Sequence, residues 1–311
     1  VISIIIPSYN EQDNIPVAAQ RVSSLMQENN IDYEIVFVND GSKDKTWERI
    51  TEESEKNSNI VGVNFSRNFG KESAIFAGLK YAKGDACVLI DCDMQHPPEV
   101  IVDMYKIWSE NDVDVVEGRK ASRGKESFLY KMFAKLFYGS VKKSSGIDMS
   151  GASDFKLLDR KVVDALNEMP ERLTFFRAMS GWVGFKTEKV YFDVAERNSG
   201  ESKWSVKSLI KYAINSITSF TSAPLHAVTV CGLIMLLVSV IMAVNTLYNK
   251  LSGNSLEGFT TVILLQLFTS SVIMISLGVI GYYISKIYEE IKQRPRYIVS
   301  EVIRNNSEEE K

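Results

Sequence analysis

Two stretches of this chain carry no lysine, arginine, aspartate or glutamate: Leu225 to Tyr248, about 24 residues, and Thr260 to Ile284, about 25 residues. About 20 such residues in a helix cross a bilayer, so both read as transmembrane helices (about 225–248 and 260–284) and not as buried core helices. Asn245, Gln266 and the Ser/Thr groups inside them are expected to face a helix partner, away from lipid. Two crossings bring the chain back to the side from which it set out. The connection carries only Lys250 and Glu257, whereas Lys203, Lys207 and Lys211 precede the first run and Lys286, Lys292, Arg294 and Arg296 follow the second. That bias predicts cytoplasmic flanks, and no signal peptide is expected ahead of Val1.

The first two thirds alternate apolar β-rich runs with helical periodicity. Strands are expected at Val1–Ile6, Tyr33–Val38, Ile60–Phe65, Ala86–Ile90 and Val113–Glu117, with a further one at Val190–Val194. Helices are expected between them: Ile15–Asn29, a run capped by Asp44 and ending near Asn57, Gly70–Lys83 closed by Gly84, and Pro98 through Trp108. Short connections in this order imply right-handed crossovers and an α/β fold with a mostly parallel sheet. In such sheets ligands bind beyond the C-terminal strand ends, where Tyr9-Asn10-Glu11, Asn39-Asp40-Gly41 and Asp91-Cys92-Asp93 form one crevice. A dinucleotide-binding enzyme is excluded at the first turn, because Pro7-Ser8-Tyr9-Asn10-Glu11 has no glycine to admit a pyrophosphate. Cys87, Cys92 and Cys231 lack metal-ligand spacing and read as reduced, packing residues. The net charge of −3 decides nothing by itself, and no nucleic-acid partner is expected.

The run Asp91-Cys92-Asp93-Met94-Gln95-His96-Pro97-Pro98-Glu99 carries the chemistry. In an extended segment Asp91, Asp93 and Gln95 share a face and offer three hard oxygen donors. Mg2+ or Mn2+ suits them, with a diphosphate completing its shell; an anionic diphosphate among these carboxylates needs such a cation. Arg119 and Arg123, after the fifth strand, are candidates to grip an acceptor phosphate through their guanidinium forks. From Arg119 to Lys143 eight Lys/Arg stand against the single acid Glu126, interleaved with aromatic residues. That mixture predicts an interfacial helix over about 126–143, on the headgroup plane. Arg197-Asn198-Ser199-Gly200-Glu201-Ser202-Lys203-Trp204 joins two cations to a small flexible centre able to fold over a diphosphate; a plain surface loop has the same residue types. Residues 203–223, apolar at helical spacing with Lys207 and Lys211 opposite, predict a second interfacial helix.

Taken together, Pro7-Ser8-Tyr9-Asn10-Glu11, Val38-Asn39-Asp40-Gly41-Ser42, Arg67-Asn68-Phe69-Gly70-Lys71 and Asp91-x-Asp93-x-Gln95-His96-Pro97-Pro98-Glu99 resemble the family 2 glycosyltransferases of GT-A fold. With two C-terminal spans and this order of motifs, the chain resembles the polyprenyl-phosphate glycosyltransferases, the bacterial bactoprenol glucosyltransferases in particular and dolichyl-phosphate mannose synthase more distantly. The resemblance implies that Pro7, Tyr9 and Glu11 border base and ribose, that Asp40 accepts from the base, that Asp91 touches ribose, and that Asp93 and Gln95 ligate the metal. Lys71 is grouped with these nucleotide-sugar contacts. Arg177 joins Arg119, Arg123, Arg197, Ser202 and Lys203 as candidates for a diphosphate or acceptor phosphate. Tyr9 alternatively covers the sheet, and Asp40 alternatively caps a turn. The matching Asp154 is proposed in the family as a base; a phosphate monoester with its second pKa near 6 gains little from one. Asp154 is therefore expected to orient a sugar hydroxyl, to stabilise positive charge at the anomeric carbon, or to position a cation. Asp159 reads as structural.

The expected organisation is a GT-A domain over 1–202, the interfacial helix 203–223, a membrane part over 224–286 and a cytoplasmic tail over 287–311, frayed from Glu301. The expected reaction is inverting transfer of a hexose, glucose first, from a UDP-sugar to undecaprenyl phosphate at a bacterial plasma membrane. UDP-N-acetylglucosamine, UDP-galactose and GDP-mannose stay open as donors. A homo-oligomer is expected, a tetramer being one form. A processive polysaccharide synthase needs more helices to line a channel, and Gln293-Arg294-Pro295-Arg296-Tyr297 only imitates its Q-x-x-R-W acceptor motif. A non-catalytic membrane scaffold keeping the fold has no need of intact Asp91, Asp93 and Gln95.

Overall fold

The computed structural model describes residues 1–120, 153–171, 175–192, 223–252 and 258–304. The interfacial helices expected over 126–143 and 203–223, together with Arg123, Arg197, Ser202 and Lys203, lie outside the described residues. The chain forms two units. Val1–Tyr138, Ile147–Trp204 and Arg294–Lys311 make the first; Gly139–Gly146 and Ser205–Gln293 make the second.

The first unit is built on β1 (Ile2–Ser8), α1 (Asn14–Glu28), β2 (Tyr33–Asn39), α2 (Thr46–Lys56), β3 (Ile60–Phe65), α3 (Lys71–Tyr81), β4 (Ala86–Leu89), α4 (Glu99–Glu110), β5 (Val115–Lys120), β6 (Lys156–Asp159), α5 (Arg160–Glu168), α6 (Phe176–Trp182) and β7 (Thr187–Phe192). With β8 (Val299–Arg304) the strands form one sheet in the order β7-β5-β6-β4-β1-β2-β3-β8. β4, β1, β2 and β3 run parallel, as do β5 and β7, whereas β6 and β8 are antiparallel to their neighbours. β2 is buried along its whole length and β1 nearly so, as central strands covered on both faces must be. α1 supplies cover through Ile15, Ala18, Ala19, Val22 and Met26, one stripe at helical spacing. α3 lies close on β1. A Cβ on Gly78 would come within 2.2 Å of Ile5 Cγ2, so only glycine permits this approach.

Four local expectations change. Gly84 does not close α3, which ends at Tyr81; its N–H instead donates to Ser3 Oγ at 2.8 Å, beside backbone that leaves no room for a Cβ. The position that caps α2 is Lys45 and not Asp44, although the Asp44 side chain just ahead of it accepts from Thr46 N at 3.0 Å and Thr46 Oγ1 at 2.5 Å. The further strand expected near Val190 starts at Thr187, and β6 was not expected. The largest change concerns the tail. Val299–Arg304, with Glu301 where fraying was expected to begin, pairs along β3 as the edge strand β8. Tyr297 stacks on Phe65 with ring centroids 5.0 Å apart, and the Arg296 guanidinium lies 4.8 Å over Phe76. Arg304 Nη1 stands 3.3 Å from buried Glu34, so the segment is anchored by charge and by aromatic contact.

In the second unit α7 (Ala223–Leu251) and α8 (Phe259–Ile291) are long and apolar, α8 running past the expected end at Ile284. Each contains a stretch long and apolar enough to cross a membrane, Leu225–Asn249 and Leu265–Ile291. At 1.5 Å per residue, 25 residues reach roughly 37 Å, more than the hydrocarbon thickness of about 30 Å.

Candidate active site

The loops that leave β1, β2, β3 and β4 emerge along one sheet edge, as Ser8 lies in register with Asn39 and Asn39 with Asn64. They are sewn together by side chain to backbone bonds. Asn10 N donates to Ser42 Oγ at 2.9 Å, Lys43 N to Asn10 Oδ1 at 2.9 Å and Glu11 N to Thr46 Oγ1 at 2.9 Å. Asn10 takes a positive φ of 55°, a conformation that asparagine tolerates better than most residues. Gly41 has φ 62° and sits so tightly on Arg67 that an added Cβ would be 2.3 Å from its carbonyl carbon. Tyr9 remains 42% exposed, open to a ligand.

Asp40, expected at the base, has an internal role in the structure. Its Oδ1 accepts from Phe69 N at 2.6 Å and its Oδ2 from Gly70 N at 2.9 Å, which fixes the turn ahead of α3. Burial pushes its carboxyl up from the ordinary value, and the two backbone donors pull against that shift. Holding a turn is the alternative that an aspartate at this position allows.

The turn places Lys71 at the start of α3, where Nζ stands 2.6 Å from Asp91 Oδ1 and 3.3 Å from Asp154 Oδ2. Arg177 grips Asp154 from the other side with both prongs, Nε to Oδ1 at 2.7 Å and Nη2 to Oδ2 at 2.9 Å. Burial alone would raise the Asp154 carboxyl; Arg177 and then Lys71 outweigh it and bring the group down to about 2. Lys71 is pushed upward for the reciprocal reason, Asp91 and Asp154 overcoming its burial. Pro7, Lys71, Asp91 and Asp154 line one recess with Ile75, Leu89, Ile90, His96 and Phe155, about 10 Å³ in volume, space for roughly one water. His96 is stacked on Phe155 at 5.1 Å and meets Phe192 edge-on at 5.4 Å, which gives the recess an aromatic wall.

The acidic run is a turn, not the extended segment expected. Met94 has φ 52° and its N–H donates to Asp91 O at 3.2 Å, while Gln95 N donates to Asp93 Oδ1 at 3.1 Å. The sidedness survives: Cys92 and Met94 are buried, Asp93 is exposed, and Asp91 and Gln95 are partly so. Asp91 is already neutralised by Lys71, so Asp93 and Gln95 are the oxygen donors left on the outer side. Among the described residues, no three His, Cys, Asp or Glu side chains come together as a metal-holding group. Two hard oxygens still fit a small divalent cation, since Mg2+ is ordinarily held by one or two protein oxygens plus substrate phosphates.

Arg119 is turned into the protein. Its Nε donates to Glu117 Oε2 at 2.8 Å; Glu117 also pairs with buried Lys156 at 3.2 Å, and Lys156 Nζ donates to Ser180 Oγ at 2.9 Å. Asp159 is structural, as expected, accepting from Lys161 N at 3.0 Å and Trp108 Nε1 at 2.9 Å. Sequence reasoning missed Glu72, Glu117 and Lys156. The signal for Glu117 and Lys156 was a charge set against apolar neighbours; Glu72, between Lys71 and Ser73, carried none.

The sequence matches the profile of the Glycosyl transferase family 2 over residues 3–166. It is 39% identical over 303 residues to an uncharacterized glycosyltransferase of Synechocystis sp., covering 97% of this chain and 95% of that one. To the bactoprenol glucosyl transferase of Shigella phage SfII it is 37% identical over 310 residues, covering 98% and 99%. Among solved structures, glucosyl-3-phosphoglycerate synthase from Mycobacterium tuberculosis in complex with Mn2+ and UDP-glucose superposes with a TM-score of 0.49 at 17% identity, over 70% of this chain and 77% of that one.

Proposed function

Since the chain belongs to glycosyl transferase family 2, we propose that it moves a hexose, glucose first, from a UDP-sugar to a polyprenyl phosphate such as undecaprenyl phosphate. The observation that carries this reading is the likeness to a bactoprenol glucosyl transferase, 37% identical over nearly the whole of both chains and so through both apolar helices. An acceptor buried by its tail and a donor dissolved in water meet only at the headgroup plane, so a catalytic domain on bilayer-long helices suits the reaction.

Pro7, Tyr9 and Glu11 border the nucleotide, with Asp40 acting through the Phe69–Gly70 turn. When bound at Asp93 and Gln95, Mg2+ or Mn2+ supplies Lewis-acid charge that stabilises the departing diphosphate. An oxygen of the lipid phosphate attacks the anomeric carbon from the face opposite UDP. The new C–O bond forms as the bond to UDP breaks, and the electron pair leaves with UDP, so configuration inverts. Asp154, down at about 2, is too weak a base to take a proton, and the phosphate is largely ionised already. The carboxylate instead offers fixed negative charge where positive charge develops on the sugar, held in place by Arg177 and Lys71. Arg123 is assigned to the acceptor side, and Arg197, Ser202 and Lys203 to the diphosphate, whereas Arg119, held by Glu117, is left to the scaffold.

β8 follows the second apolar helix yet completes a sheet made by residues that precede the first, which supports an even number of crossings with both flanks in one compartment. The basic flanks support a cytoplasmic one. The test uses the full chain in detergent with UDP-glucose, Mn2+ and polyprenyl phosphate, reading UDP release and glycolipid mass. Acceptor-dependent formation of glucosyl phosphoryl polyprenol is expected; release of UDP without glycolipid sinks the proposal. A mixture of UDP-glucose, UDP-N-acetylglucosamine, UDP-galactose and GDP-mannose identifies the donor.

A further inference from the structure

Glu72 stands one residue beyond Lys71 in the first turn of α3, and nothing assigned so far uses it. Its Oε2 accepts the backbone N–H of Phe176 at 2.8 Å. Phe176 is the first residue of α6, and its capping residue, Phe175, makes no side-chain cap bond. A carboxylate more than a hundred residues earlier thus does for α6 what a local aspartate does for most helices, accepting an otherwise orphaned amide. The next residue is Arg177, whose two prongs hold Asp154. The same turn is tied a second time, since Ser180 Oγ donates to Arg177 O at 3.3 Å and receives Lys156 Nζ at 2.9 Å.

We infer that Glu72 is a positioning residue: by holding the Phe176 N–H it fixes the first turn of α6, and so the place from which Arg177 grips Asp154. This rests on the assignment of Asp154 to the reaction centre made above. A two-pronged contact depends on angle more than a point charge does, and hydrogen bonds weaken steeply once misaligned. Release of the first turn therefore misplaces Asp154 without disturbing the loops that border the nucleotide. The loss falls on turnover and leaves donor binding nearly unchanged.

Glu72→Ala removes the acceptor, whereas Glu72→Gln keeps a carbonyl oxygen at the same reach. In the full detergent-solubilised chain, E72A is expected to lower kcat about 10- to 100-fold with KM for UDP-glucose within about threefold, and E72Q to stay within about threefold of the parent in both. In an Arg177→Lys background, where the fork is already broken, E72A is expected to cost less than about threefold more. Amide exchange across 176–182 should quicken in E72A and not in E72Q. Unchanged kcat in E72A, a full E72A effect persisting beside R177K, or unaltered exchange in α6 overturns the inference. If E72A does not fold, E72Q decides: a loss as large as that of R177K overturns it. If the parent chain transfers no sugar, the functional reading falls, and the exchange comparison alone settles whether Glu72 holds α6.

Discussion

Asp154 and Glu72 belong to one cluster of charges, yet they differ in which ionisation state the fold favours. Asp154, clamped by Arg177 and Lys71, is brought down to about 2 and is ionised at neutral pH. Asp154→Asn is therefore expected to cut kcat about 100-fold or more while leaving the pH profile between 5.5 and 8 with its shape, set by the second ionisation of the lipid phosphate near 6. An inflection that vanishes in D154N would show the carboxylate taking a proton after all. Burial pushes Glu72 the other way, from 4.5 up to about 7. The folded state then holds that proton more tightly than the unfolded chain, so stability falls as pH rises from about 4.5 to 7 and levels off above. Glu72→Gln should remove that slope, about 3 kcal/mol across the window, visible as a thermal midpoint less sensitive to pH. Asp93→Ala is expected to abolish metal-stimulated turnover, and undiminished activity after EDTA would dismiss a role for the cation. Asp91, Asp93 and Gln95 were legible because the chemistry is written in consecutive residues. The Lys71 to Asp91 pair was not, since it joins side chains twenty positions apart whose meeting depends on the turn that Asp40 holds.

At the scale of elements, what could be read followed hydrophobic patterning. β1, β2 and β3 are buried runs and stand close to where the sequence places them. β6 escaped because its two buried leucines make no run long enough to read, and β8 because it does not depend on apolar content. β6 is four residues with charge at both ends, and β8 is Val-Ser-Glu-Val-Ile-Arg, largely exposed. β8 is kept in place by groups outside the pattern: Glu301 Oε2 receives the Trp47 indole N–H at 3.1 Å, and Arg304 reaches both Glu34 and the Tyr81 carbonyl. Glu34 is buried and also accepts from Ser3 Oγ at 2.6 Å. Arg304→Ala leaves that carboxylate short of its counter-charge and should cost about 1–3 kcal/mol, read as a lowered thermal midpoint. Glu34→Gln in the same chain should recover part of the loss, because the buried charge is then gone.

At the scale of the whole molecule, the chain passes between the sheet unit and the long-helix unit both before α7 and after α8. If the flanks share the cytoplasm, the turn between the helices lies opposite. A cysteine placed at Gly258, just ahead of α8, should react with a membrane-impermeant maleimide in intact cells, whereas one at Glu301 should react only after the membrane is opened. The reverse pattern would invert the orientation, and labelling of both from outside would rule out the paired crossing.

Strand β8 also orders events in time. A ribosome delivers Val299–Arg304 only after both hydrophobic helices have emerged, so until then β3 stands at the rim with its outer hydrogen-bonding row uncovered. Completion of the catalytic half is thereby postponed until synthesis has passed the insertion step. Chains arrested before that point would carry a sticky strand margin, a natural mark by which chaperones and proteases could tell an unfinished product from a finished one.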